Sequence, residues 1–381
     1  MVWESLLTTA SFDLRRSGRF LVAALTEPHL VLSTSARNGG MVDHNRWLVN
    51  HQSCEGTAHL DRHKAMTDAG LDRYHDVVCE EIGLPSGQTA VLGTAANMNY
   101  TAIVTAADDG LEVTAAVTAG VEGNATSAGE PAMWRETAAG VQKVPAYAGT
   151  INTILLINRP LTPAALARAV VTMTEGKSAA LQRLAVPSKQ HIDLATGTGT
   201  DQYCIAAPAA GAVTLTSASP HMKLGELIGR AARDATMEAL RWQNGLEVSY
   251  TRGVFHALGR FGVREATVLD DIAPYLSPEA LDLLKKNSKA VFYEPLVGAS
   301  AHALAAVCDR IRHGTLPASV GPDAMTQHAA AIAANLAAQV HRWSEFRALL
   351  RPHADGDVKP LVLRAIALGW TEKWRSGEPD R

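Results

Sequence analysis

Asp201 closes the stretch Leu194 to Asp201, LATGTGTD, and an apolar run resumes at Tyr203. Gly197 and Gly199 admit backbone conformations and close approaches that side chains forbid. Thr196, Thr198 and Thr200 offer hydroxyls, and Asp201 offers a carboxylate. Two readings fit: a tight turn between strands, or one wall of a ligand site. Lys177 is a second residue out of pattern. Residues 162–184 have helical spacing, with an apolar stripe through Leu166, Val170, Met173, Leu181 and Leu184. At about 100° per residue, Lys177 falls inside that stripe and Glu175 on the opposite, solvated face. A buried, unpaired ammonium is costly, so Lys177 either snorkels to water or meets a carboxylate such as Asp201. His221 is the third, followed by Lys223, in the first turn of a helix expected to begin at Ser219-Pro220. A helix N-terminus disfavours imidazolium, which leaves a neutral ring able to accept a proton, and its free N–H groups welcome an oxyanion. The plainer reading of His221 is a surface residue. Carboxylate, amine and imidazole together make a set for general acid–base chemistry.

Three more polar stretches carry small residues. SARNGG supplies Ser35, Asn38, Gly39 and Gly40; AGVEGNA supplies Asn124; GTIN supplies Thr150 and Asn152. Loops at strand ends beside helix starts are where ligand clefts usually form. With Gly197, Thr198, Gly199, Thr200 and Lys223, these residues form the expected binding set of one cleft.

The elements that must hold them follow from periodicity and punctuation. Residues 19–25 and 29–34 are apolar runs of strand length around Thr26-Glu27-Pro28 and suggest a hairpin. Residues 41–58 are rich in polar donors, His51 and Gln52 among them. Residues 59–82 read as a helix ended by Gly83 and Pro85. Strands are expected at 89–95, 101–106 and 111–119, the last two joined by the Asp108-Asp109-Gly110 turn. A looser segment follows to about residue 148, then a strand to Asn158. Thr162-Pro163 starts the helix that carries Lys177, with Thr as N-cap and Pro in the first turn. Strands at 202–207 and 212–217 precede the helix at 219–244, which Gly245 can cap. From there helical patterns dominate, at roughly 277–290, 297–313, 322–350 and 358–370. The expected fold class is α+β, with mixed or antiparallel sheets packed with helices, followed by an all-α C-terminal region. The expected domains are 1–246 and 247–381.

Composition bounds the function. The chain is 47% apolar and 19% charged, with a formal charge of −3. A general nucleic-acid binder needs a basic face, so that class is set aside. Cys54, Cys79, Cys204 and Cys308 are scattered without a CxxC pair, which fits reduced thiols in a reducing compartment. His59 and His63 are four apart, but there is no HExxH and no zinc-type Cys/His cluster. No secretory signal or run of about 18 apolar residues is present, so the expected place is the cytoplasm, with no membrane partner. Oligomeric state is left open. No cofactor and no metal is called for.

The succession VLSTSARNGG, VTAGVEGNA, GTINTILLIN, TEGKSAAL, ATGTGTD and HMKLGELIGRA resembles the adenosylcobinamide amidohydrolase family. The resemblance covers roughly residues 10 to 245, in the same order along the chain, and does not reach the helical tail. It implies a corrinoid-salvage enzyme that hydrolyses the amide between aminopropanol and the propionyl group of the corrin ring. The alternatives are a non-catalytic corrinoid carrier or sensor, and an amidase of this family with another substrate.

Residue roles rest on chemistry. No G-x-S-x-G elbow is present, which argues against a hydrolase-type serine nucleophile. Gly149-Thr150 is a conceivable processing point for an N-terminal nucleophile. The preferred scheme is attack by water, with Asp201 or His221 as general base and Lys177 as electrostatic partner. The oxyanion would lie on N–H groups of the 197–200 loop or of the helix start at 221–223. Asn38, Asn124 and Asn152 suit the corrin's peripheral carboxamides or the oxyanion. A metal-bound water held by His221, Asp201 and Glu226 is the variant scheme. A Rossmann reading of Gly197-x-Gly199 lacks the third glycine and the following acidic strand residue.

Overall fold

A computed structural model describes residues 1–53, 59–132, 134–137, 140–143, 149–354 and 356–375. Cys54, the end of the looser segment and the side chains of His59 and His63 lie outside the described set. The chain divides into two compact units, Met1–Leu246 and Glu247–Arg381.

The first unit opens as an antiparallel meander of β1 (Glu4–Thr8), β2 (Phe12–Ser17) and β3 (Phe20–Leu25). β4 (His29–Ser33) and the short β5 (Gly40–Val42) follow, then β6 (Trp47–Gln52), helix α1 (His59–Ile82) and β7 (Thr89–Thr94). β8 (Ala102–Asp108) and β9 (Leu111–Ala119) form the expected hairpin, with Asp109 at φ 43° and Gly110 at φ 72°. Two left-handed residues in a two-residue turn are what Asp-Gly chemistry favours, because their twist matches that of the strands. β10 (Ala125–Thr126), β11 (Trp134–Thr137) and β12 (Gly140–Lys143) are short. β13 (Ile151–Ile157) runs into helix α2 (Pro163–Arg183), whose N-cap Thr162 accepts a hydrogen bond from the Ala165 N–H. β14 (Gly197–Thr198), β15 (Gln202–Pro208) and helix α3 (Lys223–Asn244) complete the unit.

The longer strands assemble into two sheets, in the orders β1-β2-β3-β6-β7 and β5-β4-β15-β13-β9-β8, and β10–β14 and β11–β12 pair separately as two-stranded ladders. Both sheets are mixed: β6–β7 and β13–β15 are parallel and the other pairs antiparallel. The sheets face each other across one apolar layer, to which the first contributes Leu14, Leu21, Leu48 and Leu92, and the second Ile154, Leu156, Cys204 and Ala206. The outer face of the first sheet packs on α1 through Val22, Val49, Val78 and Cys79. The outer face of the second packs on α2 and α3 through Val117, Leu155, Leu166 and Ile228. The unit is therefore a helix–sheet–sheet–helix sandwich, an α+β architecture that buries both faces of each sheet.

Three expectations need correction. Residues 19–25 and 29–34 are strands but not a hairpin: β3 already has β2 and β6 at its two edges, so β4 crosses to the second sheet and pairs with β15 and β5. Residues 212–217 are not a strand; only an isolated bridge between Leu161 and Leu215 forms. β15 is already flanked by β4 and β13, so that segment cannot pair with the strand it follows. The last helix of the unit begins at Lys223, not at Ser219.

The second unit is helical, with short turns α4 (Val248–Thr251), α5 (Val254–Leu258) and α6 (Val268–Ile272) before α7 (Pro278–Phe292) and α8 (Pro295–Arg312). Then come α9 (Gly321–Ala337), α10 (Trp343–Leu350) and α11 (Val358–Lys373). The single helix expected over 322–350 is two, because Ala338 turns left-handed at φ 57° and ends α9. Its core is one cluster rich in small residues, among them Ala301, Ala329, Ala333 and Ala365. No single helix among the described residues is long and apolar enough to cross a membrane.

Candidate active site

The register fixes which loops meet. Ile151 at the start of β13 pairs with Ala119 at the end of β9, and Asn152 lies beside Gln202 at the start of β15. Ser33 at the end of β4 pairs with Cys204. The SARNGG, AGVEGNA, GTIN and TGTGTD stretches therefore converge at one end of the second sheet.

Asp201 is the node of that end. Its Oδ1 accepts the Thr198 hydroxyl (2.6 Å) and the Ile151 N–H (2.9 Å); its Oδ2 accepts the Thr198 N–H (3.1 Å) and the Lys177 ammonium. The two side chains of the ion pair are only 15% and 17% exposed. α2 brings Lys177 there because Gly176 lets it lie against α3; a methyl on Gly176 would come 2.7 Å from the Gly229 carbonyl oxygen. A methyl on Gly197 would come 2.6 Å from Asp201 Oδ2 and 2.9 Å from Lys177 Nζ. The ion pair lies over Gly197, so this glycine leaves room for side-chain chemistry.

A buried polar seam continues inward between the sheets. Asn152 Nδ2 donates to Asn50 Oδ1 (2.8 Å) and to the Gly93 carbonyl (3.0 Å), and Asn50 Nδ2 donates to Thr118 Oγ1 (2.8 Å). Gln202 Oε1 accepts the Gly93 N–H at 2.8 Å, and Thr150 Oγ1 donates to the Thr200 carbonyl at 2.6 Å. Buried amides in a dry sandwich must be paired, and here they pair with each other. From sequence, Asn50 was noted only among the polar donors of residues 41–58, and Thr118 and Gln202 were not singled out. The polar run Asn50-His51-Gln52-Ser53 ending an apolar strand was the available signal.

Several predicted residues are spent on the protein itself. Asn124 Nδ2 donates to the Gly149 carbonyl (3.0 Å) and Thr200 Oγ1 (3.3 Å). Asn38 Nδ2 donates to the carbonyls of Ser86 (2.6 Å) and Thr89 (2.9 Å), and Ser35 Oγ to that of Arg37 (2.6 Å). Gly39 sits where a methyl would strike the Ser35 carbonyl oxygen at 2.0 Å, and Gly40 turns at φ 72° into β5. The Thr198, Gly199 and Thr200 N–H groups point to Asp201, the Asn124 carbonyl and Thr198 Oγ1. These three N–H groups are committed within the protein.

His221, Lys223 and Glu226 lie elsewhere. The α3 C-terminus is at the Asp201 end, where Gln243 and Asn244 accept the N–H groups of Asn97 and Val121. Its start is at the other end, where Lys223 pairs with Glu226 (2.6 Å) and approaches Asp108 (3.9 Å) at the β8–β9 turn. His221 is exposed there. The length of β9 separates it from Asp201, so the two share neither a proton path nor a metal ion.

His51, noted in the sequence only as one of the polar donors of residues 41–58, was given no role there. It is 3% exposed, stacks on Phe20 at 4.7 Å and shares Nδ1 with the Tyr74 hydroxyl. Its Nε2 is buried without a hydrogen-bond partner among the described residues. Burial, with Arg19 adding a smaller repulsion, pushes its pKa down to about 3, so the ring is neutral. It follows Asn50 on β6 and therefore faces the opposite side of the first sheet from the seam.

Comparisons with known proteins agree with the co-linear motifs. A family model described as adenosylcobinamide amidohydrolase matches residues 5–248. An uncharacterized protein of Methanocaldococcus jannaschii, MJ1613, is 35% identical over 184 residues, which is 46% of this chain and 71% of that protein. Among solved structures, the PH0078 protein from Pyrococcus horikoshii OT3 matches 62% of this chain and 82% of its own at 13% identity. Its TM-score of 0.30 is too low to carry an argument.

Proposed function

The chain belongs to the adenosylcobinamide amidohydrolase family, and from that premise we propose that it hydrolyses the amide joining aminopropanol to the corrin ring of adenosylcobinamide. The products are adenosylcobyric acid and aminopropanol, which places the reaction in corrinoid salvage. The observation that carries this reading is the shielded Lys177–Asp201 pair at the loop end of the sandwich, within the matched segment.

Hydrolysis breaks the amide C–N bond, adds the oxygen of water to the carbonyl carbon and leaves the amine with the proton that water gives up. Charge builds on the carbonyl oxygen in the transition state and needs a preorganised donor. An ammonium has three N–H donors, of which Asp201 takes one from Lys177. In this proposal the remaining donors of Lys177 stabilise the oxyanion. Asp201, saturated by four donors, positions the lysine instead of accepting the proton of water. Thr198, Asn124, Thr150 and Asn152 hold the loops, while Thr200 and Gly199 are exposed where a substrate can lie.

Incubation with adenosylcobinamide followed by mass spectrometry should reveal adenosylcobyric acid and free aminopropanol in equal amounts. Tight corrinoid binding with no product would make the protein a carrier. Turnover of another amide alone would keep the chemistry and change the substrate.

A further inference from the structure

A second set of titratable side chains lies behind the Asp201 loop. Glu130, His191 and Asp193 each present one ligand-type atom within 4.8 Å of the others. They line a cavity of about 260 Å³ with Ser127, Gly129 and Pro131. We propose that these three side chains bind one divalent transition-metal ion, with Zn²⁺ the expected occupant and water from the cavity in the remaining positions. The inference does not depend on which amide the protein cleaves.

Three observations support it. First, Glu130 is half satisfied: its Oε2 accepts the hydroxyls of Thr126 (2.7 Å) and Ser188 (2.8 Å), while its Oε1 is buried with no hydrogen-bond partner among the described residues. Among the described residues no lysine or arginine forms an ion pair with Glu130, and a bound cation would supply that partner. Second, His191 Nδ1 lies 3.0 Å from Asp193 Oδ2. Two ligands bound at about 2.1 Å on a tetrahedral ion are separated by about 3.4 Å, so the pair already sits within a few tenths of an ångström of ligand spacing. Third, the chemistry is consistent: one imidazole and two carboxylates suit zinc and its neighbours, and an outer shell of hydroxyls on a ligating carboxylate is the usual support. Closing the set onto one ion asks only for sub-ångström side-chain movement.

The ion would act as a clip. Ser188 Oγ bonds Glu130 and accepts the N–H groups of Gln190 (3.1 Å) and His191 (3.2 Å), so one hydroxyl already ties the two loops. Thr126, which donates to Glu130, pairs in β10 with Gly197 of β14, the glycine beneath the Lys177–Asp201 pair. Binding would hold the 126–131 and 187–194 loops together and stiffen the short ladder that carries Asp201.

The test uses the full chain, free of any tag, stripped with a chelator and dialysed. Titration with Zn²⁺ or Mn²⁺, read by calorimetry and elemental analysis, should give one equivalent per chain. Saturating metal should raise Tm by about 5 °C, as expected for a ligand that binds only the folded state. Glu130→Gln and His191→Ala should each weaken binding at least tenfold and abolish the Tm shift. His191 is exposed, so its variant folds irrespective of metal. Absence of stoichiometric uptake by the wild type, or uptake unchanged in either variant, would overturn the assignment and leave a plain His191–Asp193 hydrogen bond.

Discussion

The two ends of the second sheet each hold a lysine paired with a carboxylate, and they differ in almost everything else. At one end Lys177 and Asp201 are 15% and 17% exposed, and the carboxylate collects three further donors. At the other, Lys223 and Glu226 are 47% and 41% exposed, one helical turn apart on the same surface. The first pair joins distant parts of the chain under a glycine loop. The second decorates a helix start. Burial decides which pair matters, because desolvated charges interact strongly and cannot be left alone, whereas water screens exposed ones.

The largest effect should come from breaking the buried pair. Lys177→Met or Asp201→Asn should lower kcat for the amide hydrolysis by about 100-fold or more, the scale of losing one preorganised oxyanion donor. Each should also cost about 3 kcal/mol in stability, because each strands the opposite charge. Combining the two should recover stability but not activity, since the double variant has neither stranded charge nor ammonium. A chemical-denaturation cycle with steady-state kinetics measures both. Wild-type kcat in Lys177→Met would remove the distinction between the two ends.

That pair was legible because its clues were local. A helix of known phase put Lys177 on the wrong side, and burial economics required a partner. The Asp-Gly hairpin and the Thr162 cap were legible for the same reason: a few adjacent residues carry the whole signal. The sandwich was not. Whether β4 pairs with β3 or crosses to β15 depends on which edges other strands have already taken, and no spacing within residues 19–34 records that. His221 was misplaced by the same blindness. A helix after Ser219-Pro220 was recognised, but it starts at Lys223 and leaves His221 in the turn before it, and the end of the sheet at which it lies is set by the direction of the chain after β15. The asparagines were found as chemistry-bearing residues, but single residues do not announce that they also pair with Asn50 or a loop carbonyl.

A steric test sharpens the contrast at Gly197. Gly197→Ala puts a methyl within 2.6 Å of Asp201 Oδ2 and 2.9 Å of Lys177 Nζ. The pair must part or the loop must move, at a cost of about 1–3 kcal/mol for overpacking. Activity should fall at least tenfold while the sandwich stays folded. Circular dichroism and kcat/KM would show this, and an alanine variant as active as the wild type would mean that the pair does not act as a fixed unit.

The histidines repeat the comparison through pH. His51, near the Asp201 end, is held neutral with its pKa down to about 3, whereas His221 at the other end is exposed. The unfolded chain protonates His51 near its ordinary value of about 6.5 and the native chain does not. Its contribution is therefore fully present above that pH and is lost as pH falls toward 3, by up to about 1.4 kcal/mol per unit. His29 and His75, also lowered by burial, add to the same slope. Replacing His51 with Gln should flatten the fall in unfolding free energy between pH 6.5 and 4.5. A slope equal to that of the wild type would show that His51 is not desolvated in solution.

The smallest effect belongs to the far end, and it is the control on which the others depend. Lys223 has two acidic neighbours, Glu226 and Asp108, and all three side chains are well exposed. Water replaces any one of them with little loss, and salt screens what attraction exists. Lys223→Ala should leave Tm and kcat/KM at wild-type values at low and high salt, although Lys223 resembles Lys177 as a lysine beside a carboxylate. A measurable loss of turnover on adenosylcobinamide would mean that substrate reaches the far end of the sheet, and the assignment of the cleft to the Asp201 loops would have to be withdrawn.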